Sequence, residues 1–174
     1  TQPTTTANIT AKGLTVTGIT ATNRVYDATT GATALLDKTS AALSGVVAGD
    51  TVTMDHTSAT ASFADKAIGA GKTVSITGIT IGGADAGNYT LSQPSTTANI
   101  TAKTLTVSGI TAANKTYNAS TVATLNTGSA AFVGVESGDT VTIGVGSATG
   151  AFADKTIGAG KTVQVSGVTK SGAD

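Results

Sequence analysis

The pentapeptide Gly-Ala-Gly-Lys-Thr occurs twice, at residues 69–73 and 158–162. Such a pattern could cradle phosphate groups with backbone N–H groups and a lysine ammonium. A phosphate loop also needs a glycine five residues before the second one, where this chain has Lys66 and Lys155. It needs a helix after Lys-Thr, whereas the sequence continues VSITGIT, which is typical of a strand. We therefore expect a hairpin turn and a solvated lysine, and no nucleotide site.

Residues that could perform acid–base or nucleophilic catalysis are scarce and differ between the two halves of the chain. His56 is the only histidine, and the corresponding position in the second half is Val145. Glu136 is the only glutamate, and it corresponds to Val47. No Ser-His-Asp set can be built twice, and paired carboxylates are few. We predict that the chain is not an enzyme and has no catalytic or cofactor-binding residues.

Three pairs of aspartates are the candidates for a metal site. Calcium requires six to eight oxygen ligands, and it rigidifies many elongated surface proteins. These aspartates are dispersed singletons without an Asp-x-Asp-x-Asp run, so turns closed by aspartate side chains explain them better. We predict no metal site at these positions: Asp50 and Asp139, Asp65 and Asp154, Asp85 and Asp174.

The sequence also bears on three other features: an isopeptide crosslink, an ice-binding surface and glycosylation. A Lys–Asn isopeptide bond would need Lys12 or Lys103 buried beside an asparagine and a carboxyl group, and the sequence carries no marker of one. Threonine pairs such as Thr15/Thr17 and Thr51/Thr53 could bind ice only in a flat array, so we expect strands with a solvated outer face. N-x-S/T triplets, which a glycosylating host could modify, begin at Asn8, Asn88, Asn99, Asn114 and Asn118.

Composition limits the remaining classes of function. Ten basic and ten acidic side chains balance, so there is no charged field for nucleic acid or anionic lipid. Cysteine is absent, which excludes a disulfide framework, and no apolar run is long enough to span a membrane. Charged residues are only 11% and aromatic residues only 3%, so the core must consist of small aliphatic side chains in thin layers.

The chain is a tandem repeat. TQPTTTANITAK at residues 1–12 recurs as SQPSTTANITAK at residues 92–103, and FADKAIGAGKTV at 63–74 recurs as FADKTIGAGKTV at 152–163. The period near 90 residues is too long for a solenoid unit and suits one β-sandwich domain. We expect residues 1–12 to be the last strand of a preceding repeat, 13–103 a complete sandwich, and 104–174 a second one, truncated at its C-terminus with an open edge.

Within each repeat, short segments rich in valine, isoleucine and threonine predict strands, among them residues 51–54, 59–64 and 72–77. Residues 32–43 come nearest to a helix, but the corresponding residues 122–132 contain Asn-Thr-Gly, which favours a hairpin. A pattern Val/Ile-Thr/Ser-Gly-Ile/Val-Thr occurs four times, and its apolar spacing changes from two to three across the glycine. A bend there would keep both apolar residues in the core, so we predict bends that cross between sheets at Gly18, Gly78, Gly109 and Gly167.

The stretch DAGNYTL, residues 85–91, resembles the entry to the sixth strand of immunoglobulin-type sandwiches. Asp85, Gly87 and Tyr89 have the spacing of that motif, whose tyrosine hydrogen-bonds upstream backbone to close a corner. A second interpretation is a generic Gly-Asn turn before a strand with a half-buried tyrosine. Both interpretations make the stretch a structural element that completes a repeat.

The whole repeat resembles the YDG-type repeats of large bacterial surface proteins. One departure concerns the eponymous glycine, which is Ala28 in the first copy and Ala119 in the second; if that glycine has a positive φ, the alanines are unfavourable. The resemblance covers nearly all of the chain, and the matching residues of the first copy are Leu14–Ala21, Asn23, Arg24, Tyr26, Asp27, Gly45–Val47, Gly49–Val52, Phe63–Lys66, Gly69, Gly71–Val74 and Gly83–Leu91.

The resemblance implies a fold and a function. It implies two immunoglobulin-like sandwiches forming an elongated rod, as the stalk or spacer of a secreted, cell-surface adhesin similar to filamentous haemagglutinins. The expected partners are neighbouring repeats, and the stalk would project a distal region that acts in adhesion or biofilm formation. An alternative is a module that itself binds a host glycan or protein, which an exposed patch of Tyr26, Tyr117 or Phe132 would favour. A further alternative is self-association between cells through open sheet edges.

Overall fold

The computed structural model describes residues 2–174 and is all-β, as the sequence predicts. The chain divides into two compact units between Lys103 and Thr104. The first unit contains two short 3₁₀ turns, at Thr33–Leu35 and Ala86–Asn88, and eleven strands. These strands are β1 (Lys12–Thr17), β2 (Thr20–Ala21), β3 (Arg24–Val25), β4 (Leu36–Asp37), β5 (Ala42–Ser44), β6 (Thr53–Asp55), β7 (Thr60–Phe63), β8 (Gly69–Thr77), β9 (Thr80–Gly82), β10 (Tyr89–Ser92) and β11 (Ser95–Thr101).

Two sheets carry most of the first unit. One has the order β10-β1-β5, with β1 parallel to β10, and the other has the order β3-β11-β8-β7. Alternate residues of each strand point inward, so that Val16 of the first sheet and Val74 and Ile76 of the second are buried in one aliphatic core. The same alternation leaves Thr15 and Thr17 on the solvated face, as predicted.

The glycine of each repeated Val/Ile-Thr/Ser-Gly motif bends the chain from one sheet to another. The strand before Gly18 pairs with β5, and the strand after it pairs with β4 in a separate two-stranded sheet. Gly18 has φ +78°, and Ile19 beyond it is buried. Gly78, Gly109 and Gly167 also have positive φ, and each lies between strands of different sheets. The predicted bends are therefore confirmed.

The segment for which the sequence patterns indicated either a helix or a hairpin, residues 32–43, forms neither. Residues 32–43 contain one 3₁₀ turn followed by β4 and β5, which pair with β2 and β1 and not with each other. The hairpin predicted for residues 122–132 is also wrong, because the strands on either side of its Asn-Thr-Gly turn pair with different partners. The turn bends the chain opposite Gly109. The segment before the turn stays antiparallel to residues 111–112, and the segment after it stays antiparallel to residues 106–108.

The second unit repeats this plan with fewer pairings. Its strands form the sheets β12-β16, β13-β15, β14-β18-β19 and β17-β20. They are β12 (Thr106–Ser108), β13 (Thr111–Ala112), β14 (Val122–Ala123), β15 (Leu125–Asn126), β16 (Ala131–Val133), β17 (Val141–Gly144), β18 (Thr149–Phe152), β19 (Val163–Ser166) and β20 (Thr169–Gly172).

Among the described residues of the second unit, two strands have one partner fewer than their equivalents in the first unit. In the first unit β1 lies between β10 and β5, but its equivalent β12 pairs only with β16. Likewise β8 lies between β11 and β7, but its equivalent β19 pairs only with β18. Ala123 is the one buried apolar residue of this unit within the described chain, and Val163 and Val165 are only half-buried.

Residues 2–11 form no strand and are exposed. Thr1 lies outside the described residues. That residues 1–12 complete a preceding repeat, and that residues 13–103 and 104–174 each fold as a domain, stay predictions. In the part of the chain that the structure describes, no helix is long and apolar enough to cross a membrane.

Candidate functional site

The first Gly-Ala-Gly-Lys-Thr segment is the beginning of β8 and not a phosphate loop. Its Lys72 lies opposite Ala98 of β11, and the N–H of Gly71 donates to Asn99 Oδ1 at 2.7 Å. A strand follows Lys-Thr, as predicted. The predicted solvated lysine is wrong, because the Lys72 side chain is only 14% exposed and its Nζ is paired with the Asp65 carboxylate.

The same lysine–aspartate pair closes the corresponding loop in the second unit. Lys161 donates to Asp154, whose carboxylate also accepts from the hydroxyl and the backbone N–H of Thr156. These donors lower the pKa of Asp154 to about 2, with Lys161 the largest cause. In the first unit Lys72, followed by the N–H of Ala67, lowers the pKa of Asp65. Both carboxylates are more than half exposed, so solvent screens the ion pairs and they contribute little to the free energy of unfolding. Their main effect is to fix the geometry of the loops.

Tyr89, in the stretch DAGNYTL, is a buried clamp on a distant loop. Its hydroxyl accepts the N–H of Val47 at 3.0 Å and donates to Asp50 Oδ2 at 2.5 Å. The residue begins β10 and is 7% exposed. The bond to upstream backbone agrees with the corner interpretation, although it reaches 42 residues back, much farther than the few residues typical of immunoglobulin domains.

We expect Tyr89→Phe to destabilise the first unit, because it leaves the Val47 N–H and the Asp50 carboxylate without their partner. Hydrogen exchange should be faster at the amides of residues 45–50 than in the unaltered protein. Asp50, which accepts from the phenol, raises the pKa of Tyr89. The native state therefore keeps this proton after an unfolded tyrosine ionises near pH 10, and stability should fall as pH rises above that value.

A matched control is Tyr117→Phe, because Tyr117 is 58% exposed. This variant should change neither the exchange of residues 45–50 nor the stability of the first unit in alkali. Equal exchange in Tyr89→Phe and the unaltered protein would show that the hydroxyl does not hold the loop.

Asp85 makes a second clamp beside the first. Its Oδ2 accepts the N–H of Thr51 at 2.8 Å, and in the second unit Asp174 accepts the N–H of Thr140 at the same distance. These bonds span 34 residues, so both aspartates are cross-loop acceptors and not local turns, contrary to our interpretation of them. The local interpretation is confirmed for Asp65, which accepts the N–H of Ala67 two residues on.

The turn that follows Tyr26 and Asp27 has an alanine in a left-handed conformation. Ala28 and its counterpart Ala119 both have φ +60°, and they are the only non-glycine residues with positive φ among residues 2–174. Asp27 Oδ1 accepts the N–H of Thr29 at 3.0 Å, and Arg24 donates to the carbonyl of Gly31 at 2.7 Å. Flanking side-chain bonds therefore keep the turn geometry although alanine is unfavourable there.

We predict that Ala28→Gly stabilises the first unit by about 1 kcal/mol, because glycine adopts positive φ without the clash of a Cβ atom. Chemical denaturation, monitored by the backbone amide signals of β8, measures the change in the free energy of unfolding. Ala48→Gly is the matched control: Ala48 is exposed and its φ is not positive, so extra freedom in the unfolded chain should make that variant slightly less stable. A lower stability of Ala28→Gly would contradict the strain.

The other candidate reactive residues lie apart. His56 follows β6, and its carbonyl accepts Lys38 Nζ at 2.9 Å, while Glu136 lies in the turn before β17. Within residues 2–174 no three histidine, cysteine, aspartate or glutamate side chains gather as metal ligands would. Of the sequence-predicted candidates, Asp50 and Asp85 lie close enough to Tyr89 that both raise its pKa, but no third candidate joins them among residues 2–174.

Lys12 and Lys103 are both exposed, so neither has the burial that an isopeptide bond requires. Thr15 and Thr17 lie on β1 and Thr53 lies on β6, in separate short sheets, whereas Thr51 lies outside any strand. Of the five N-x-S/T asparagines, Asn99 is half-buried and bonds both Gly71 and, through its N–H, the Asn23 side chain. Asn8, Asn88, Asn114 and Asn118 are exposed.

The three aromatic side chains that could form an adhesive patch are not equivalent. Tyr26 packs against the core of the first unit, and Phe132 is half-buried in the second. Tyr117 is exposed, and it lines a groove of about 600 Å³ together with Lys115, Phe152 and Val163.

Sequence reasoning predicted aspartate-closed turns only at other positions and missed three that have the form Asp-x-Thr. Asp27, Asp37 and Asp55 each accept both the N–H and the hydroxyl of the threonine two residues on, with donor–acceptor distances of 2.7–3.0 Å. The spacing is visible in the sequence and has a known mechanism. Also missed was Gln93, whose side-chain amide bonds both the N–H and the carbonyl of Ile79.

Comparison with known proteins identifies one family. The model of a family described as the YDG domain matches residues 10–98 and again residues 101–174. The two matches are consecutive and together cover most of the chain, in agreement with the tandem repeat. No curated protein and no solved structure matches the chain.

Proposed function

The chain belongs to the YDG-domain family, of which it carries two tandem copies, and from this premise we propose that it is a structural spacer in the stalk of a bacterial surface adhesin. The role would be mechanical and not catalytic. The observation that carries the proposal is the direct succession of two copies: β11 of the first ends at Thr101, and β12 of the second begins at Thr106. Only residues 102–105 separate the two strands, so the connection between the copies is short.

The motif residues of the repeat support this proposal by what they contact. The hinge glycines, the Tyr89 clamp and the Lys72–Asp65 pair each hold backbone or a loop of their own unit. The glycines at the bends and the lysine–aspartate pair recur in both copies, where they maintain the fold. His56 and Glu136, whose residue types do not recur in the other copy, lie in turns.

The pairing of the first strand also suits a load-bearing element. In the first unit β1 is parallel to β10, with Lys12 opposite Tyr89 and Thr15 opposite Ser92. Tension along the chain pulls β1 from its N-terminal end and the β10–β11 segment from its C-terminal end. In a parallel pair this direction runs along both strands, so the evenly spaced hydrogen bonds are loaded together and not one after another.

We extend the proposal to the fold and the location. Each copy would be an immunoglobulin-like sandwich, which the two sheets around one core and the Tyr89 clamp support. Consecutive copies would form a rod, and its partners would be neighbouring repeats. The extracellular, cell-surface location rests on the resemblance of the repeat to those of large bacterial surface proteins.

Small-angle X-ray scattering of the 174-residue chain, at the lowest concentration that gives a signal, tests the rod. The spacer account predicts an elongated particle, and insertion of a flexible Gly-Ser segment between Lys103 and Thr104 should broaden its distribution of distances. The same insertion between Gly158 and Ala159, in an exposed loop outside any strand, is the matched control and should not. A compact particle would contradict the rod. Saturable binding of a glycan by the isolated chain would favour the adhesive module instead.

A further inference from the structure

In a spacer under tension, the last residue of β11, Thr101, is where the load from the second copy enters the first unit. The chain continues from Thr101 through residues 102–105 into β12. The carbonyl of Thr101 accepts the N–H of Tyr26 at 2.8 Å, and its hydroxyl donates to the carbonyl of Arg24 at 3.2 Å. β3 runs parallel to β11, so tension along β11 is transferred to β3. Because β3 has only two residues, it must itself be anchored.

The side chain of Arg24 in β3 is only 8% exposed and makes several contacts away from its own strand. One Nη atom donates to the carbonyl of Gly31 at 2.7 Å and to the hydroxyl of Thr29 at 3.1 Å, and the other donates to the carbonyl of Thr29. The guanidinium lies over the ring of Phe63, 4.8 Å from its centroid, and pairs with the exposed Asp27 at 3.3 Å. The cation therefore ties β3 both to the turn that follows it and to β7.

The segment after β3 is bonded to β7, the opposite edge of the sheet β3-β11-β8-β7. The N–H of Phe63 donates to the carbonyl of Thr30, and the N–H of Ala32 donates to the carbonyl of Ala61, both at 2.8 Å. Residues 27–32 thus lead from one edge strand of the sheet to the other, and the Arg24 side chain closes the link at the β3 end. We call residues 27–32 the strap.

The same contacts recur in the second unit, with lysine in place of arginine. Lys115 Nζ donates to the carbonyls of Ser120 and Val122 at 2.6 and 3.0 Å, and it lies 5.4 Å from the centroid of the Phe152 ring. The three residues that it contacts stand at the repeat positions of Thr29, Gly31 and Phe63. Arg24 Nε, which has no equivalent in lysine, is buried and has no hydrogen-bond partner among the described residues. What the two side chains share is a cation that binds two carbonyls and a ring.

We propose that the Arg24 guanidinium is a mechanical anchor, which passes the tension that leaves the first unit along β11 to the strap and so to β7. The inference rests on the proposed spacer function, and it adds the residue at which the load is shared between the two edges of the sheet. Among the described residues β3 pairs only with β11, so without the cation it would be pulled away together with β11.

Constant-force unfolding of the 174-residue chain tests the anchor. Cysteine handles at Lys12 and Lys103, which are both exposed, load β11 from its C-terminal end. Arg24→Met removes the charge and keeps an unbranched stem, so the first unit should unfold about tenfold faster or more at a force that the unaltered protein withstands. Arg24→Lys should unfold within about threefold of the unaltered protein, because an ammonium can bind the same two carbonyls, as Lys115 does.

Lys38→Met is the matched control. Lys38 is half-buried and also donates to a carbonyl, that of His56 at 2.9 Å, but this bond joins neither β3 nor β11. Its loss should change the unfolding rate under the same load by less than about threefold. The direction of pulling provides a second control, since handles at Lys12 and Ser44 do not load β11. In that direction Arg24→Met and the unaltered protein should also differ by less than about threefold.

Thr101→Val provides an independent arm, which also serves if Arg24→Met does not fold. Thr101 is exposed, and the change removes its hydroxyl bond to the carbonyl of Arg24. With handles at Lys12 and Lys103 this variant should unfold about threefold faster or more, because β11 is held less firmly to β3. With handles at Lys12 and Ser44 its unfolding rate should equal that of the unaltered protein.

Two results would overturn the anchor and leave the spacer function standing. One is an equal effect of Arg24→Met and Lys38→Met, and the other is an effect of Arg24→Met or Thr101→Val that is the same in both directions of pulling. Either would mean that these residues stabilise the fold without carrying load. A third result would contradict the spacer function itself, and the anchor with it: an unaltered protein that unfolds as fast from the handles at Lys12 and Lys103 as from those at Lys12 and Ser44.

Discussion

Gly18→Ala is expected to destabilise the first unit by about 3 kcal/mol, from left-handed strain together with steric overlap. Gly18 has φ +78°, where a side chain is strained, and a Cβ atom would lie 1.9 Å from the carbonyl oxygen of Ser40. That oxygen belongs to the backbone and cannot rotate away, so the bent strand and the turn facing it would have to separate. Native-state hydrogen exchange of the Val74 and Ile76 amides in β8 measures the loss.

Gly13→Ala is the matched control for this variant. Gly13 lies in β1, the strand that ends just before Gly18; a Cβ atom there would meet nothing within 4 Å, and its φ is not positive. Alanine should therefore change stability by less than about 1 kcal/mol, in either direction. If both variants were equally stable, the hinge would not depend on glycine, and the explanation of the four bends would be wrong.

Ile100→Ala is expected to destabilise the first unit by about 2–5 kcal/mol, because it leaves a cavity in the core that β11 closes. Ile100 is 2% exposed and packs with Val74, Ile76 and Phe63 in one cluster. The same exchange experiment measures the change, and protection should fall throughout β8, since β11 is its partner along most of its length.

The sequence supplies its own control, Ile9→Ala. Ile9 stands in the same local sequence, Ala-Asn-Ile-Thr, but is fully exposed. Measured at a concentration where the protein is monomeric, this variant should keep the stability of the unaltered protein. Equal losses in the two variants would mean that residues 2–10 are buried in the monomer, against the structure.

Features that depend on local chemistry could be predicted from sequence. The period of the repeat, the all-β class and the bends at glycine follow from spacing and from the conformational freedom of single residues. Ile19 illustrates this: it lies three residues after Val16 and would face solvent in a straight strand, so its spacing alone requires a bend, and Ile19 is buried.

Long-range pairing could not be predicted in the same way. Asn-Thr-Gly at residues 126–128 is a strong local turn signal, yet the strands beside it pair with β13 and β12. Tyr89 reaches Val47 and Asp50 because β10 lies beside β1, a parallel contact between the beginning and the end of the unit. Such contacts depend on the path of the whole chain, and no residue spacing encodes them.

The central claim, that the repeat is a load-bearing spacer, is tested most directly by single-molecule force spectroscopy. Because the chain has no cysteine, pairs of cysteines can be introduced as handles at chosen positions. Handles at Lys12 and Lys103 load the parallel β1–β10 pair along its strands. Handles at Lys12 and Ser44 instead pull on one end of the antiparallel β1–β5 pair, where Thr15 faces Ser44, and break its bonds one at a time. The account predicts a clearly higher unfolding force for the first pair of handles; an equal or lower force would contradict it.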